Sequence, residues 1–228
     1  MSSQLPAVLA GAAHYATPVE RSADRWVHVV GLAAGGLGGV ILLVLTLSLG
    51  RLGEAAAIGI YAACLVAMLM ASAAYNLASP GRWPLLRRLD HAAIFLMIAG
   101  SYTPFTTQRL TGAWAVSMTA TVWTLALAGA AGKLFLPGLG KGFWVVLYLA
   151  LGWVVVAALG PMLTGVPLAA MILLLIGGLI YSTGVIVYLR RTLPYRRAIW
   201  HGFVVVAAAT HWVAILTGVV LAGAARGF

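Results

Sequence analysis

Residues 142–189, GFWVVLYLALGWVVVAALGPMLTGVPLAAMILLLIGGLIYSTGVIVYL, run for 48 positions without an Asp, Glu, Lys or Arg. A helix rises about 1.5 Å per residue and about 20 apolar residues cross a bilayer, so the run is too long for one crossing and long enough for two. Gly160-Pro161 and Gly165-Val166-Pro167 divide it, because proline has no amide hydrogen with which to continue a helix. Spans are expected at 143–160 and 167–189. Continuous apolarity, without period-two alternation, predicts helices that satisfy their own backbone in lipid and not a membrane barrel.

Outward from this run, the same reading gives spans at 26–50, 55–78, 90–107, 112–131 and 198–224, each bounded by basic or acidic residues. The expected fold class is an all-α integral membrane protein, a seven-transmembrane helix bundle. Residues 20–228 form its single membrane domain, behind a flexible N-terminal tail at 1–19 that lacks the order of a cleaved signal. Composition agrees, with 63% apolar and 8% charged residues among 228, where a soluble domain carries about 25% charge. A water-soluble enzyme domain is excluded. The lone Cys64 allows no intramolecular disulfide and no cysteine metal cage. Gly35, Gly36, Gly38 and Gly39 suit close helix approach; in an apolar span without lysine they do not read as a phosphate loop.

The formal charge of +10 would suggest nucleic acid in a soluble protein, but position matters more here. With seven crossings, the tail and the loops at 78–89, 132–142 and 189–198 share one side. They carry Arg21, Arg25, Arg82, Arg87, Arg88, Lys133, Lys141, Arg190, Arg191, Arg196 and Arg197, which is 11 of 14 basic residues. Arg51, Arg109 and Arg226 fall on the other side. The positive-inside rule then puts the N-terminus in the cytoplasm and the C-terminus outside. The basic loops read as topological determinants and contacts for anionic lipids, and no aromatic-rich basic module points to nucleic acid.

Ionisable groups within spans are costly and usually face the bundle interior or a cavity. Glu20, Asp24 and His28 enter the first span at its cytoplasmic end, Ser72 and Asn76 leave the second there, Asp90 and His91 open the third, and Arg197 and His201 open the seventh. Ser72 and Asn76 are four apart and share a helix face, as do Arg197 and His201. Asp90 and His91 diverge by about 100°, and Asp90 is expected to point inward. Each residue alone also fits snorkelling or helix capping; convergence from four spans argues for a shared pocket. His211, deeper in the seventh span, reads as hydrogen-bonded packing, and His14 as a tail residue without a role.

The stretch Leu89-Asp90-His91-Ala92-Ala93-Ile94-Phe95-Leu96-Met97-Ile98-Ala99-Gly100-Ser101-Tyr102-Thr103-Pro104-Phe105 closely resembles the third-span signature of the bacterial hemolysin III family, which belongs with the progestin and adipoQ receptors. Gly138-Leu139-Gly140-Lys141 leading to Gly152-Trp153, Gly184-Val185-Ile186-Val187-Tyr188, and Ile199-Trp200-His201-Gly202-Phe203-Val204 extend the resemblance over about residues 20–215. It implies a seven-helix fold with a cytoplasmic N-terminus in a bacterial inner (plasma) membrane. Receptor members resemble alkaline ceramidases and hold zinc near the cytoplasmic face through one histidine ending span two and two histidines four apart opening span seven. A serine before the first ligand and an aspartate opening span three support the metal-bound water. By position these are Ser72, Asp90 and His201, with Asn76 and Arg197 standing at the other two ligand positions. An amide oxygen is a weak donor and a guanidinium repels a cation, so these two substitutions disfavour zinc.

The expectation from charge is an ion pair in which Arg197 takes the place of the metal beside Asp90, with Ser72 and Asn76 bonded around it. The leading functional reading is lipid sensing or membrane homeostasis through a pocket of Glu20, His28, Asn76, His91 and Arg197, with membrane lipids as partners. The alternative is a zinc-dependent hydrolase of a lipid amide, with Ser72 and Asp90 relaying protons and His201 as the surviving metal position. A pore-forming or cytolytic protein is the third reading, suggested by the family name, although no charged filter is visible.

Overall fold

The structure, a computed structural model, describes residues 14–136, 138–190 and 192–224. The helices are α1 (Pro18–Ser48), α2 (Leu52–Leu77), α3 (Trp83–Gln108), α4 (Gly112–Phe135), α5 (Lys141–Gly152), α6 (Leu159–Gly165), α7 (Leu168–Leu189) and α8 (Arg196–Ile215). A 3₁₀ stretch, Val154–Ala158, joins α5 to α6, and a π-helical stretch, Leu216–Leu221, prolongs α8. Among the described residues there is no strand.

Among the described residues, six segments are long and apolar enough to cross a membrane: α1, α2, α4, Lys141–Gly165, α7 and Arg196–Leu221. The long 142–189 run is broken at Val166 and Pro167, after Gly165; Gly160 and Pro161 lie inside α6, in the first turn where proline is tolerated, so the fifth span runs on to Gly165 and does not end at 160 as expected. Helix α3 is also 26 residues long, but Arg87, Arg88 and Asp90 near its start and Thr106, Thr107 and Gln108 at its end lower its apolarity. It packs against both α2 and α4 and buries Phe95, Ala99 and Phe105. The protein is an all-α membrane protein. Its outward side chains are apolar, Val116 at 72% and Leu168 at 68% exposure among them. Such exposure suits contact with lipid and would be unusual for so many residues facing water.

Helix α1 begins at Pro18, well before the expected boundary at 26. Thr17 is the N-cap, its Oγ1 accepting from the Glu20 amide at 3.2 Å, while the Glu20 carboxylate accepts from the Ala16 amide at 3.1 Å. This reciprocal arrangement, with proline in the first turn, starts a helix firmly. Of the tail expected at 1–19, residues 1–13 lie outside the described residues, whereas Pro18 and Val19 are helical. At the other end Gly50 adopts the left-handed region (φ 70°) that favours glycine. Its amide donates to Leu47 O at 3.0 Å and that of Arg51 to Thr46 O at 3.2 Å, closing the helix.

Small residues let α1 meet α8 and α2. Trp212 Nε1 donates to Gly38 O at 2.9 Å, and a Cβ at Gly38 would come within 2.8 Å of that nitrogen. Gly39 faces Ala62, but Gly36 faces open space and makes no such contact, because it lies on the outer side of the helix. Where α8 widens into the π-helical stretch, Arg51 Nη1 donates to Val220 O at 3.0 Å and Arg109 Nη2 to Val219 O, fastening the α1–α2 and α3–α4 corners to the end of α8. The opposite end of the bundle carries the polar cluster.

Candidate functional site

The polar cluster is built from both ends of the chain. Asp24 and His28 are four apart on α1, so one face presents both, and His201 comes to that face from the second turn of α8. All three are buried, at 0%, 3% and 8% exposure. His201 Nδ1 lies 2.6 Å from Asp24 Oδ1, and His28 Nε2 lies 3.4 Å from Asp24 Oδ2. An ionised carboxylate only accepts, so the hydrogen sits on His201 Nδ1, and Nε2 of the neutral ring is the acceptor. Ser72 Oγ at 3.5 Å and Asn76 Nδ2 at 3.4 Å are its neighbours, both able to donate.

Arg197 corrects an expectation. It does not bridge to Asp90: Nη1 donates to Asn76 Oδ1 at 2.6 Å and Nε to His14 O at 2.9 Å. The reason is helical register. Arg197 precedes His201 by one turn and reaches the last turn of α2, level with Asn76. Asp90, buried at 9% exposure, sits instead by Ser72 and 3.9 Å from His91 Nε2.

The segment before α1 also departs from the sequence reading. His14 stacks on Trp83 with ring centres 3.8 Å apart, and its carbonyl takes the Arg197 bond. Burial, then the Arg197 charge, holds the His14 imidazole down to about 4, so it stacks as a neutral ring. Tyr15 OH lies 2.5 Å from Asp24 Oδ2 and 3.2 Å from Asn76 O. Burial and that bond to Asp24 push its phenol well above the usual range. Glu20, expected in the pocket, is engaged elsewhere: it caps α1 and accepts from the Tyr195 amide at 3.3 Å, tying α1 to the start of α8.

A cavity of about 490 Å³ opens beside the cluster. His28, Ser72, Asn76, Asp90, His91 and His201 line its polar end. Arg87, Lys141 and Arg197, all near helix starts, edge it on that side. Deeper, it runs between α3, α5, α7 and α8 along Ile98, Leu149, Gly178 and Val204 to His211, whose Nε2 lies 3.2 Å from Leu174 O. Asp24 does not line the cavity; it lies behind His28 and His201, which do.

Residues 17–212, which include every side chain of this cluster except His14 and Tyr15, match the family model described as Haemolysin-III related. The chain belongs to the haemolysin-III-related family. It is 36% identical over 132 residues to "Hemolysin-3 homolog" of Bacillus subtilis (strain 168), a match spanning 58% of this chain and 62%, less than two thirds, of that protein. To "Hemolysin-3" of Bacillus cereus it is 32% identical over 189 residues, 79% of this chain and 86% of the relative. To "Monocyte to macrophage differentiation factor" of Homo sapiens it is 32% identical over 127 residues, 55% of this chain and 52% of the relative.

In this haemolysin-III-related chain the zinc positions implied by the resemblance do not fit a cation, because two of the three, Asn76 and Arg197, are bonded to each other. Another donor set fits better. Asp24, His28 and His201 each place one possible ligand atom within 4.8 Å of the others, a carboxylate and two imidazoles of the kind divalent metals take. In the sequence Asp24 stands among the converging residues, without a role implied by the resemblance. Its spacing of four from His28 is the signal that marks it.

Proposed function

We propose that this chain is a seven-span protein of the cytoplasmic (inner plasma) membrane, N-terminus inside, that binds a membrane lipid with its head group at the polar cluster and its chain in the cavity. The seventh span is α3, which lies among membrane-capable helices and whose charged first turns fall at the polar end. Counting it restores the charge partition, with Arg87, Lys141 and Arg197 at the inner leaflet and Arg51 and Arg109 at the outer. The observation that carries the reading is the continuity of one space, about 490 Å³, from basic and hydrogen-bonding groups to an apolar interior. A cavity of some 300–1,000 Å³ with few convergent polar groups is the usual form of a small-ligand site. Lipid sensing or membrane homeostasis follows from such occupancy.

The test is equilibrium binding of a fluorescent long-chain fatty acid and its methyl ester to delipidated protein in detergent. Gly178→Phe fills the cavity, since a Cβ there meets nothing nearer than the Trp153 ring at 3.5 Å, and should weaken both ligands at least about tenfold, the loss of one buried ring's space. Arg87→Gln at the exposed rim should weaken the acid by about threefold, roughly a rim charge's worth, and leave the ester unchanged. Equal binding by parent and Gly178→Phe would refute the site.

A second reading, hydrolysis of a lipid amide, is favoured by the alignment of Asp24, His201 and Ser72, in which the carboxylate fixes the ring and leaves Nε2 to take a proton near Ser72. Asp24→Asn should then lower turnover by at least about a hundredfold, the usual worth of an oriented base, with lipid affinity unchanged. Turnover equal to the parent's would remove this reading.

A further inference from the structure

We infer that Asp24, His28 and His201 bind one divalent transition-metal cation, with α1 supplying the two donors that Asn76 and Arg197 no longer provide. The proposal goes beyond lipid binding and does not depend on it.

Three observations converge. The donors are a carboxylate and two imidazoles, buried together, with possible ligand atoms within 4.8 Å of one another; this composition serves catalytic zinc and non-haem iron, which leave a position open for water or ligand. Second, His28 Nε2 is buried without a hydrogen-bond partner, although it points to within 3.4 Å of Asp24 Oδ2. Leaving a buried polar nitrogen so is destabilising, and a metal satisfies it. Third, the surroundings suit a cation. Asp24 and the nearby Asp90 are both buried, and the Arg197 guanidinium is held to Asn76 Oδ1 and His14 O.

Outer partners are also in place. Tyr15 OH, 2.5 Å from Asp24 Oδ2, steadies the carboxylate, as groups behind metal ligands commonly do. His28 and His201 line the cavity while Asp24 does not, so a cation held by the three would be reached from the cavity through the two imidazoles.

The experiment is elemental analysis of the full chain, purified in detergent, stripped with chelator, incubated with zinc and passed through gel filtration. The expected result is about one zinc per chain in the parent and at least a tenfold loss in His28→Gln and in Asp24→Asn. Arg87→Gln, at the rim, should keep the parent's metal content even where it weakens fatty-acid binding, so failure of the lipid reading and failure of this one are separable. Cobalt(II) titration of the parent gives a second measurement that needs no variant to fold, with visible bands saturating at one equivalent. Less than about 0.1 ion per chain with zinc, manganese(II) and iron(II) alike, no cobalt spectrum, or full retention by His28→Gln would overturn the proposal.

Discussion

Asp24→Ala should lower the melting temperature of the purified protein by roughly 6–12 °C, corresponding to about 3 kcal/mol in a chain of this size. Asp24 is fully buried and accepts from two partners, His201 Nδ1 at 2.6 Å and Tyr15 OH at 2.5 Å, with His28 Nε2 3.4 Å away and not hydrogen-bonded. Truncation leaves a buried imidazole N–H and a phenol without their acceptor, and removing one member of a buried charged network costs more than the net worth of the network. Asp24→Asn keeps one acceptor oxygen and should lose less than half as much. The loss belongs to the joint between α1 and α8, so amide exchange should rise first at the starts of these helices. A melting temperature within about 1 °C of the parent, a change of well under 1 kcal/mol, would mean that Asp24 does not hold the two helices together.

The second large effect lies at the opposite end of the bundle. A Cβ at Gly165 would come within 2.3 Å of the Arg109 carbonyl oxygen and 3.3 Å of its carbonyl carbon. Both are backbone atoms, so no side chain can swing aside, and α6 must part from the α3–α4 corner. Gly165→Ala should therefore destabilise by about 3 kcal/mol, the upper end for overpacking. The disturbance reaches α8, since Arg109 is also bonded to Val219 O. Gly160→Ala, five residues earlier in the same helix, is the control: a Cβ there meets nothing within 4 Å, and alanine's better helix propensity should leave stability equal or raise it by up to about 1 kcal/mol. Thermal melts of the two variants side by side check this, and a Gly165→Ala protein as stable as Gly160→Ala would contradict the close approach.

Much of the fold was legible because lipid imposes a simple rule: long apolar runs become helices, and charges, the Gly50 corner and Pro167 mark where they stop, although Pro104 and Pro161 lie inside helices. The break near Pro167, the helices on either side of it and the corner at Gly50 follow from that rule. The early start of α1 was not legible from apolarity, since Thr17 and Glu20 are polar; it was legible as a capping pattern, which hydropathy alone passes over. The site shows a sharper divide. Spacing of four placed Ser72 with Asn76 and Arg197 with His201 on shared faces, but spacing says nothing about which neighbour a face meets. Charge alone predicts an Asp90–Arg197 pair, and the chain instead satisfies Arg197 with an amide oxygen and the His14 carbonyl, because those groups lie at its level.

By itself the sequence determined that this chain lives in a membrane as apolar helices, which ends of them carry polar groups, and that it belongs to the family whose motifs it carries. These are properties of composition and period, and they act locally along the chain. Only the tertiary structure decided that Asp24 meets His201 across 177 positions, that Tyr15 closes over them, and that Asn76 and Arg197 hold one another. Those contacts depend on how α1, α2 and α8 pack, which is set by small residues such as Gly38 and Gly39 and by the depth at which each helix begins. A few ångströms of helix position select the partner, and no short stretch of sequence contains that information.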